Sequence, residues 1–314
     1  MPRVAVCVCT SNRAPLLGRV LGVIERIELG ELAAEDIVVL VVDNRPEDGQ
    51  ARAVCEGLAP KLPMPLVVVG EPTPGISFAR NRAIAEARAL GADFVAFVDD
   101  DDIPHPDWLW RLVSRQRETG ADLVFGSWQL PDSPRPPRWL ERTRYFKPPR
   151  RDDRNRFGLP GWAGTYNVLL SRRLVDRLAD EGDLFRAEFA HCGGEDSDLF
   201  IRANGAGFAH ACAHDSVVVR GWEPHRMTFR GVLRRGFRLG GSRAHLARAH
   251  LPAAQARSLA RASWRKLGKS VLGLPAAGWG RARAADALVK LAGSLGEIHG
   301  WAGLRYGYYR RPRG

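Results

Sequence analysis

The most constraining feature of this chain is a short apolar run that ends in four consecutive aspartates, Phe94-Val-Ala-Phe-Val-Asp-Asp-Asp-Asp102. An apolar run of this length without polar alternation is typical of a strand buried on both faces of a parallel sheet. Four adjacent carboxylates repel one another unless a cation lies among them, and hard oxygen ligands suit a divalent metal. Capping and turn roles would account for only one or two of the aspartates. The pattern therefore predicts a divalent metal at the carboxyl end of a buried strand.

Strand-like and helix-like segments alternate through residues 1–219. Continuous apolar runs occur at 4–9, 36–43, 65–70, 94–98 and 123–128, and helical spacing of apolar residues occurs at 16–27 and 77–90. Such alternation predicts an α/β fold in which a doubly wound, mostly parallel sheet has helices on both faces. Ligands of these sheets bind beyond the carboxyl ends of the strands. Because those ends carry Thr10–Arg13, Asp43-Asn44 and Asp99–Asp102, we expect the three segments to line one crevice.

Two common phosphate-binding motifs are absent from the sequence. No Gly-x-Gly-x-x-Gly follows the first apolar run, and no Gly-x-x-x-x-Gly-Lys-Ser/Thr occurs. Without a glycine cradle, the charge of a diphosphate has to be met by a metal ion and by arginine. Arg80, in Gly75-Ile-Ser-Phe-Ala-Arg80-Asn81, is one candidate, and a surface position on a helix is the alternative.

A pair of acids, Glu195-Asp196, follows two glycines at the predicted start of a helix. Acids at a helix N-terminus interact favourably with the helix dipole, which is a structural explanation of the pair. Glycine also lets a ligand approach the backbone, and a carboxylate would then face that ligand. From the residues alone, both interpretations stay open.

The charge of the chain is distributed unevenly. Residues 220–314 contain 20 Lys and Arg against three acids, a net charge of +17, whereas the whole chain carries +12 and residues 1–219 therefore carry −5. A basic ridge repeats every four residues at Arg257, Arg261, Arg265 and Lys269. A basic amphipathic helix is typical of contact with an anionic membrane surface, and packing on the sheet domain is the alternative.

Composition limits the location and size of the protein. The 314 residues, 45% of them hydrophobic, are enough for one large domain with an appendage. No stretch of 18 apolar residues occurs, so we expect no transmembrane helix. Five cysteines without paired metal spacing predict reduced thiols in the cytosol. Seven prolines and nine basic residues between Pro131 and Pro160 predict a long surface segment that folds over a substrate.

Taken together, these motifs resemble glycosyltransferase family 2. The resemblance covers about residues 4–240 and, within the family, is strongest to the bacterial exopolysaccharide enzymes of the succinoglycan type. The motifs are Val6-Cys-Val-Cys-Thr10-Ser-Asn12-Arg13, Val42-Asp43-Asn44, Gly75-Ile-Ser-Phe-Ala-Arg80-Asn81, Asp99–Asp102 with Pro106-Asp-Trp108-Leu109, Gly164-Thr165-Tyr-Asn167 and Gly194-Glu195-Asp196.

This resemblance implies a GT-A fold and a nucleotide-diphosphate sugar donor. It also implies a divalent metal, Mn²⁺ or Mg²⁺, and inversion of configuration at the anomeric carbon. The acceptor would be a glycan or a lipid-linked glycan of surface or exopolysaccharide biosynthesis. We expect a cytoplasmic enzyme, peripheral on the membrane if the basic helices touch it, with no nucleic-acid partner.

The resemblance also assigns roles to single residues. Asp43 would contact the nucleobase near Thr10, Asn12 and Arg13, and Arg80 and Asp100 would bind the nucleotide sugar. Asp99 would face the ribose and join Asp101 in an Asp-x-Asp metal motif, with the register uncertain by one residue in the run of four. Asp196 would be the general base, and Glu195 its neighbour in the catalytic pair. Trp162 and Asn167 are the acceptor candidates, because sugars present apolar faces on which an indole can stack.

Two other classes of protein remain as alternatives. A sugar-nucleotide pyrophosphorylase would share the sheet, but its glycine-rich phosphate loop should follow the first strand, where Thr10–Arg13 stands instead. A non-catalytic protein that binds anionic polymers would use the basic tail, but the acidic crevice would then have no purpose. We therefore predict a glycosyltransferase domain at residues 1–222 and a basic helical region at residues 223–314.

Overall fold

The structure of the protein is a computed structural model that describes residues 2–132, 137–141, 153–221, 224–273, 280–305 and 307, the side chains at 224, 225, 281 and 282 excepted. Within them the central element is a sheet of eight strands. The strands are β1 (Val4–Thr10), β2 (Ile37–Asp43), β3 (Leu66–Gly70), β4 (Phe94–Asp99), β5 (Asp102–Pro104), β6 (Leu123–Gln129), β7 (Asn167–Ser171) and β8 (His210–Arg220). Much of segment 131–160 lies outside the described residues, so its course over a substrate stays a prediction.

The sheet is mixed, with a parallel part that contains the strands predicted from apolar runs. Its strand order is β3-β2-β1-β4-β7-β6-β8-β5. Pairs β1–β2, β1–β4, β2–β3 and β6–β8 are parallel, whereas β7 runs antiparallel between β4 and β6, and β5 pairs antiparallel with β8. The α/β fold with a mostly parallel sheet is confirmed.

Helices cover both faces of the sheet. They are α1 (Ala14–Ile24), α2 (Gln50–Leu58), α3 (Ile76–Ala89), α4 (Trp108–Thr119), α5 (Arg138–Glu141), α6 (Arg172–Ala179), α7 (Glu195–Gly205), α8 (Phe229–His250), α9 (Ala253–Leu272) and α10 (Arg281–Trp301). One core cluster joins the sheet to α1, α2 and α4, and a second joins it to α3, α6 and α7. Continuous apolar strands are explained by this double cover, since both faces of each strand are buried.

The register of the parallel strands brings their polar ends together. Cys9 on β1 lies opposite Asp99 on β4, and Thr10 lies opposite Asp43 on β2. All three strands therefore end at one edge of the sheet, as the sequence predicts. The functional residues discussed below lie at this edge.

The C-terminal helices α8 and α10 pack unusually close together because glycine lies at their crossing. A Cβ atom at Gly240 would overlap the carbonyl oxygen of Gly293, and one at Gly296 would overlap that of Phe237. At Gly300, a Cβ would lie 2.7 Å from the carbonyl oxygen of Gly241. The two backbones are therefore in direct contact, and side chains larger than hydrogen have no room there.

Helix α9 packs on α10 through polar contacts. Ser263, 1% exposed, donates its hydroxyl hydrogen bond to Glu297 Oε2 at 2.6 Å and accepts one from Trp301 Nε1 at 3.1 Å. Lys266 Nζ lies 3.0 Å from Glu297 Oε2. These contacts fix which face of α9 is turned toward the protein. Among the described residues, each helix is too short or too polar to cross a bilayer.

We predict that Gly296→Ala lowers the free energy of unfolding by about 1–3 kcal/mol, because α8 and α10 have to move apart to admit the methyl group. The matched control is Gly268→Ala on α9, where nothing lies within 4 Å of the new Cβ. That change should raise stability by up to about 1 kcal/mol, since alanine is the better helix former. Urea unfolding of the two variants measures both values. Equal effects of the two changes would contradict close packing at Gly296.

Candidate active site

A cavity of about 670 Å³ opens at the carboxyl ends of the parallel strands. The end of β1, the start of α3 and the four aspartates after β4 form one side of it. Arginines of α8 and of the turn before it form the other side. The residues that line it include Thr10, Asn12, Arg13, Asn44, Arg80, Asp99–Asp102, Arg220, Arg226, Arg230, Arg234, Arg235 and Arg238. The cavity therefore combines a carboxylate cluster with a wall of arginine.

Three of the four aspartates converge, and the fourth turns away. Asp99, Asp101 and Asp102 each place a carboxylate oxygen within 4.8 Å of the others. Asp100 points instead toward β1, where it accepts hydrogen bonds from Thr10 Oγ1 at 2.8 Å and from Arg13 Nη1 at 2.9 Å. Burial raises the pKa of Asp100 to about 6. Within the acidic run, Asp102 therefore lies in the cluster and Asp100 outside it, and the choice of metal ligands stays a prediction.

The carboxylate cluster has the donor set and the unmet polar atom that fit a divalent cation. Oδ2 of Asp102 is buried and lacks a hydrogen-bond partner among the described residues, with Arg220 Nε 3.7 Å away. Burial raises the pKa of both Asp99 and Asp102, and neighbouring carboxylates add to the effect. A hard cation among three such oxygens would supply the missing partner and relieve their repulsion.

Arg80 is a buried cation between two acids that are far apart in the sequence. Its side chain donates from Nη1 to Glu195 Oε1 and from Nη2 to Asp99 Oδ1 at 3.2 Å, and only 5% of the residue is exposed. The end of β4 is thereby joined to the start of α7. The prediction that Arg80 binds a diphosphate is not supported by this arrangement, because its guanidinium is already engaged by two carboxylates.

The acid pair at the start of α7 divides into a buried and an accessible residue. Glu195 is 4% exposed, and burial raises its pKa although Arg80 opposes the rise. Asp196 is partly exposed, and its Oδ1 accepts from the backbone N–H of Ser197 at 2.6 Å. Its second oxygen lies beside Gly164, 3.4 Å from where a Cβ would stand. Of the two acids, Asp196 is therefore the one that a ligand can reach.

The start of α7 is held in place by a second buried carboxylate. Asp198 is fully buried and is bound by Arg202 Nε at 2.9 Å, Arg186 Nη1 at 3.3 Å and His250 Nε2 at 2.8 Å. Burial alone would raise the pKa of Asp198, but these three partners outweigh burial and lower it. The contact with His250 also ties α7 to the end of α8.

The residues predicted to contact the nucleobase do not all face the cavity, and their role stays a prediction. Asp43 is 3% exposed, accepts from the Arg45 backbone N–H at 2.9 Å and does not line the cavity. Thr10 and Arg13 do line it, but they hold Asp100 rather than surround Asp43. Asn12, the third predicted neighbour, lines the cavity with a left-handed backbone, φ 54°.

One acceptor candidate is corrected and the other stays a prediction. Asn167 is 1% exposed, and its amide donates to the carbonyl oxygens of Ser127 and Ser216, each at 3.0 Å, so it cannot reach an acceptor. Gly126 is required beside it because a Cβ there would overlap the Asn167 amide. Trp162 is half-buried, and its Nε1 donates to the Gly126 carbonyl oxygen at 3.3 Å. Its ring stays close enough to the surface to meet a ligand.

Sequence reasoning missed the arginines that balance the carboxylates. Arg220 lies with its guanidinium 4.1 Å from the centre of the Tyr166 ring, beside Asp102. Arg226 Nη1 lies 2.8 Å from Asp101 Oδ2. The four-residue spacing of Arg230, Arg234 and Arg238 was a readable signal, because residues four apart share one helix face. The predicted division at residue 222 stays a prediction, but the region after it contributes directly to the cavity.

Comparison with known proteins assigns the chain to a family. Residues 5–178 match the family described as Glycosyl transferase family 2. The chain is 32% identical to the succinoglycan biosynthesis protein ExoM of Rhizobium meliloti (strain 1021) over 246 residues. This alignment covers 76% of this chain and 73% of that protein. The chain is a family 2 glycosyltransferase. It is also 28% identical to the glycosyltransferase AglE of Haloferax volcanii, over 64% of this chain and 61% of that protein.

Solved structures confirm the GT-A fold. The mannosyltransferase PcManGT from Pyrobaculum calidifontis, solved with GDP-Man and Mn²⁺, aligns with 96% of this chain and 88% of its own at a TM-score of 0.58 and 19% identity. Residues 1–349 of S. aureus TarS, solved with UDP-GlcNAc, align with 97% of this chain and 93% of their own at a TM-score of 0.51 and 14% identity. Membership of the family favours the glycosyltransferase over the pyrophosphorylase and the polymer-binding protein.

We predict that Arg80→Ala lowers the free energy of unfolding by about 3–5 kcal/mol, because Glu195 would be left as a buried carboxylate without a counter-charge and the partly exposed Asp99 would lose its partner. Arg82→Ala on the same helix is the matched control. Arg82 is exposed and pairs only with Glu86 at 2.7 Å, so its loss should change stability by about 0.5 kcal/mol or less. Urea unfolding measures both. Similar losses in the two variants would mean that the buried pair does not support the fold.

Proposed function

We propose that this family 2 glycosyltransferase is an inverting, metal-dependent enzyme. It would transfer a hexosyl group from a nucleotide-diphosphate sugar to a glycan or lipid-linked acceptor in surface or exopolysaccharide biosynthesis. The observation that carries the proposal is a three-carboxylate cluster at the sheet edge, which Arg80 joins through Asp99 to Glu195, the neighbour of the partly exposed Asp196. The relationship to ExoM supports the exopolysaccharide role, and the nucleotide sugars in PcManGT and TarS support the class of donor.

A divalent metal would be held by Asp99, Asp101 and Asp102, whose oxygens converge. When bound, it would neutralise the charge that develops on the diphosphate leaving group. The remaining anionic charge of the donor would be met by the arginine wall. Arg230 and Arg234 line the cavity, are exposed, and are not ion-paired within the described part of the chain.

Asp196 would act as the general base. The acceptor hydroxyl loses its proton to the Asp196 carboxylate as its oxygen bonds to the anomeric carbon. The bond from that carbon to the diphosphate oxygen breaks on the opposite side, and its electron pair leaves with the nucleoside diphosphate. A single displacement of this kind inverts the configuration. Glu195 would hold Arg80 and thereby the start of α7, a positioning role.

The acceptor would approach from the side of the Gly161–Tyr166 turn. Asp196 faces Gly164, and the Trp162 ring lies at the outer part of the same turn. A ring of the acceptor sugar could stack on the indole while its hydroxyl reaches the carboxylate. A lipid-linked acceptor would require this cytoplasmic enzyme to work at the membrane surface as a peripheral protein.

Asp101→Ala should abolish sugar transfer and weaken metal binding, because one of the three converging oxygens is lost. Titration calorimetry with Mn²⁺ alone measures the second effect without any substrate. A panel of nucleotide sugars with and without chelator measures the first. Asp183→Ala, an exposed carboxylate outside the cavity, is the control and should behave as wild type. Full activity of Asp101→Ala, or of wild type in excess chelator, would refute metal dependence.

Asp196→Asn should reduce turnover about 10²–10⁴-fold, because the amide keeps the shape of the side chain but cannot accept a proton. Donor affinity and stability should be nearly unchanged. Glu195→Gln is the informative contrast, since it removes the counter-charge of Arg80 and should lower stability instead. Turnover, donor binding and urea unfolding separate the two outcomes. If donor binding is lost in Asp196→Asn while turnover of bound donor survives, Asp196 is structural.

A further inference from the structure

The large apolar side chains that the described part of the protein exposes all lie in its C-terminal region, between residues 229 and 304. The six large exposed ones are Phe229, Trp264, Val271, Leu272, Leu295 and Leu304. Three of the six lie on α9, where Trp264 is 62%, Val271 49% and Leu272 81% exposed. Clustered exposure of this kind in a soluble region marks an interaction surface.

The orientation of α9 puts these apolar residues on the same face as the basic ridge. Ser263 and Lys266 face α10, where Glu297 binds both. At 100° per residue, the opposite face contains Arg257, Arg261, Arg265 and Lys269, all exposed, with Trp264 and Leu272 between and beside them. Val271 is also exposed and lies at the edge of the ridge.

The charge of this surface is of one sign. Helix α9 contains Arg257, Arg261, Arg265, Lys266 and Lys269 and no acid. Lys266 is the member that is neutralised within the protein, by Glu297. The other four form the exposed surface with Trp264, Val271 and Leu272, which we name the α9 face.

We propose that the α9 face is a docking surface for an anionic lipid bilayer. Four basic side chains would lie among anionic headgroups, while Trp264 and Leu272 would enter the boundary between headgroups and acyl chains, the depth at which indole rings are enriched. A bilayer fits both components, because it presents negative charge above an apolar layer. The basic side chains would attract the protein to the membrane over a long distance. Binding through the apolar side chains would persist at high salt.

This inference rests on the proposed function only for its purpose, which is to bring the cavity to a lipid-linked acceptor. Its physical basis is the α9 face itself. Vesicle binding needs no donor, metal or acceptor, so its result is independent of the catalytic assignment. Metal-dependent donor binding, measured separately, tests the site without vesicles.

The experiment is co-sedimentation of the full chain with vesicles of phosphatidylcholine alone or mixed with phosphatidylglycerol. Wild type should sediment with the mixed vesicles only. Changing Arg257, Arg261, Arg265 and Lys269 together to Gln should weaken that binding about 100-fold or more, since each basic residue near an anionic surface contributes about fivefold. Trp264→Ser with Leu272→Ser should leave binding that high salt abolishes, whereas wild type should retain part of its binding.

The control removes the same three Arg and one Lys from exposed positions elsewhere, as Arg19, Arg26, Lys61 and Arg177 changed to Gln. Its vesicle binding should match wild type, which separates the α9 face from net charge alone. All variants should keep the donor binding of wild type. Equal binding of wild type and the four-site α9 variant would overturn the proposal. A dimer in lipid-free solution that Trp264→Ser with Leu272→Ser converts to a monomer would also overturn it, because a second copy would then cover the face.

Discussion

The site depends on one buried cation. Arg80 comes from a helix that packs against the parallel sheet, and its guanidinium joins the last residue of β4 to the first residue of α7. The carboxylate cluster and the acid pair are therefore positioned by the same side chain. Because Arg80 and Glu195 are removed from water, either charge is costly without the other, and the partly exposed Asp99 adds a second partner for the guanidinium. This constraint explains why the two acidic motifs, almost a hundred residues apart, stand in a fixed relation.

Around this cation, the remaining charges of the cavity are paired one by one. Arg13 binds Asp100, Arg226 binds Asp101, and Arg220 lies beside Asp102. Arg220 is the last residue of β8 and Arg226 precedes α8, so both are far from the aspartates in sequence. The pairing keeps a dense acidic cluster compatible with folding before any ligand arrives, and Arg230 and Arg234 on α8 are exposed toward the cavity.

The sequence was informative where the physical signal is local. Apolar runs predicted β2 and β4, and their polar ends predicted where the cavity would lie, because both follow from residue type along a short segment. The order of the strands across the sheet does not follow from residue type along a short segment. Nothing in residues 167–171 indicates that β7 lies antiparallel between β4 and β6. Because the four aspartates are identical in type, the sequence does not indicate which of them points toward Thr10. The spacing of the α8 arginines defines a helix face, but only the packing shows what that face meets.

The glycine contacts between α8 and α10 have a consequence for the order in which the protein becomes active. Arg230 and Arg234 are placed at the cavity by α8, and α8 is placed by backbone contact with Gly293, Gly296 and Gly300 near residue 300. During synthesis the sheet and its carboxylates can form while α10 is still inside the ribosome. The cavity then has only one side. Catalytic competence should therefore arise late, when the second helix of the pair emerges and closes the wall.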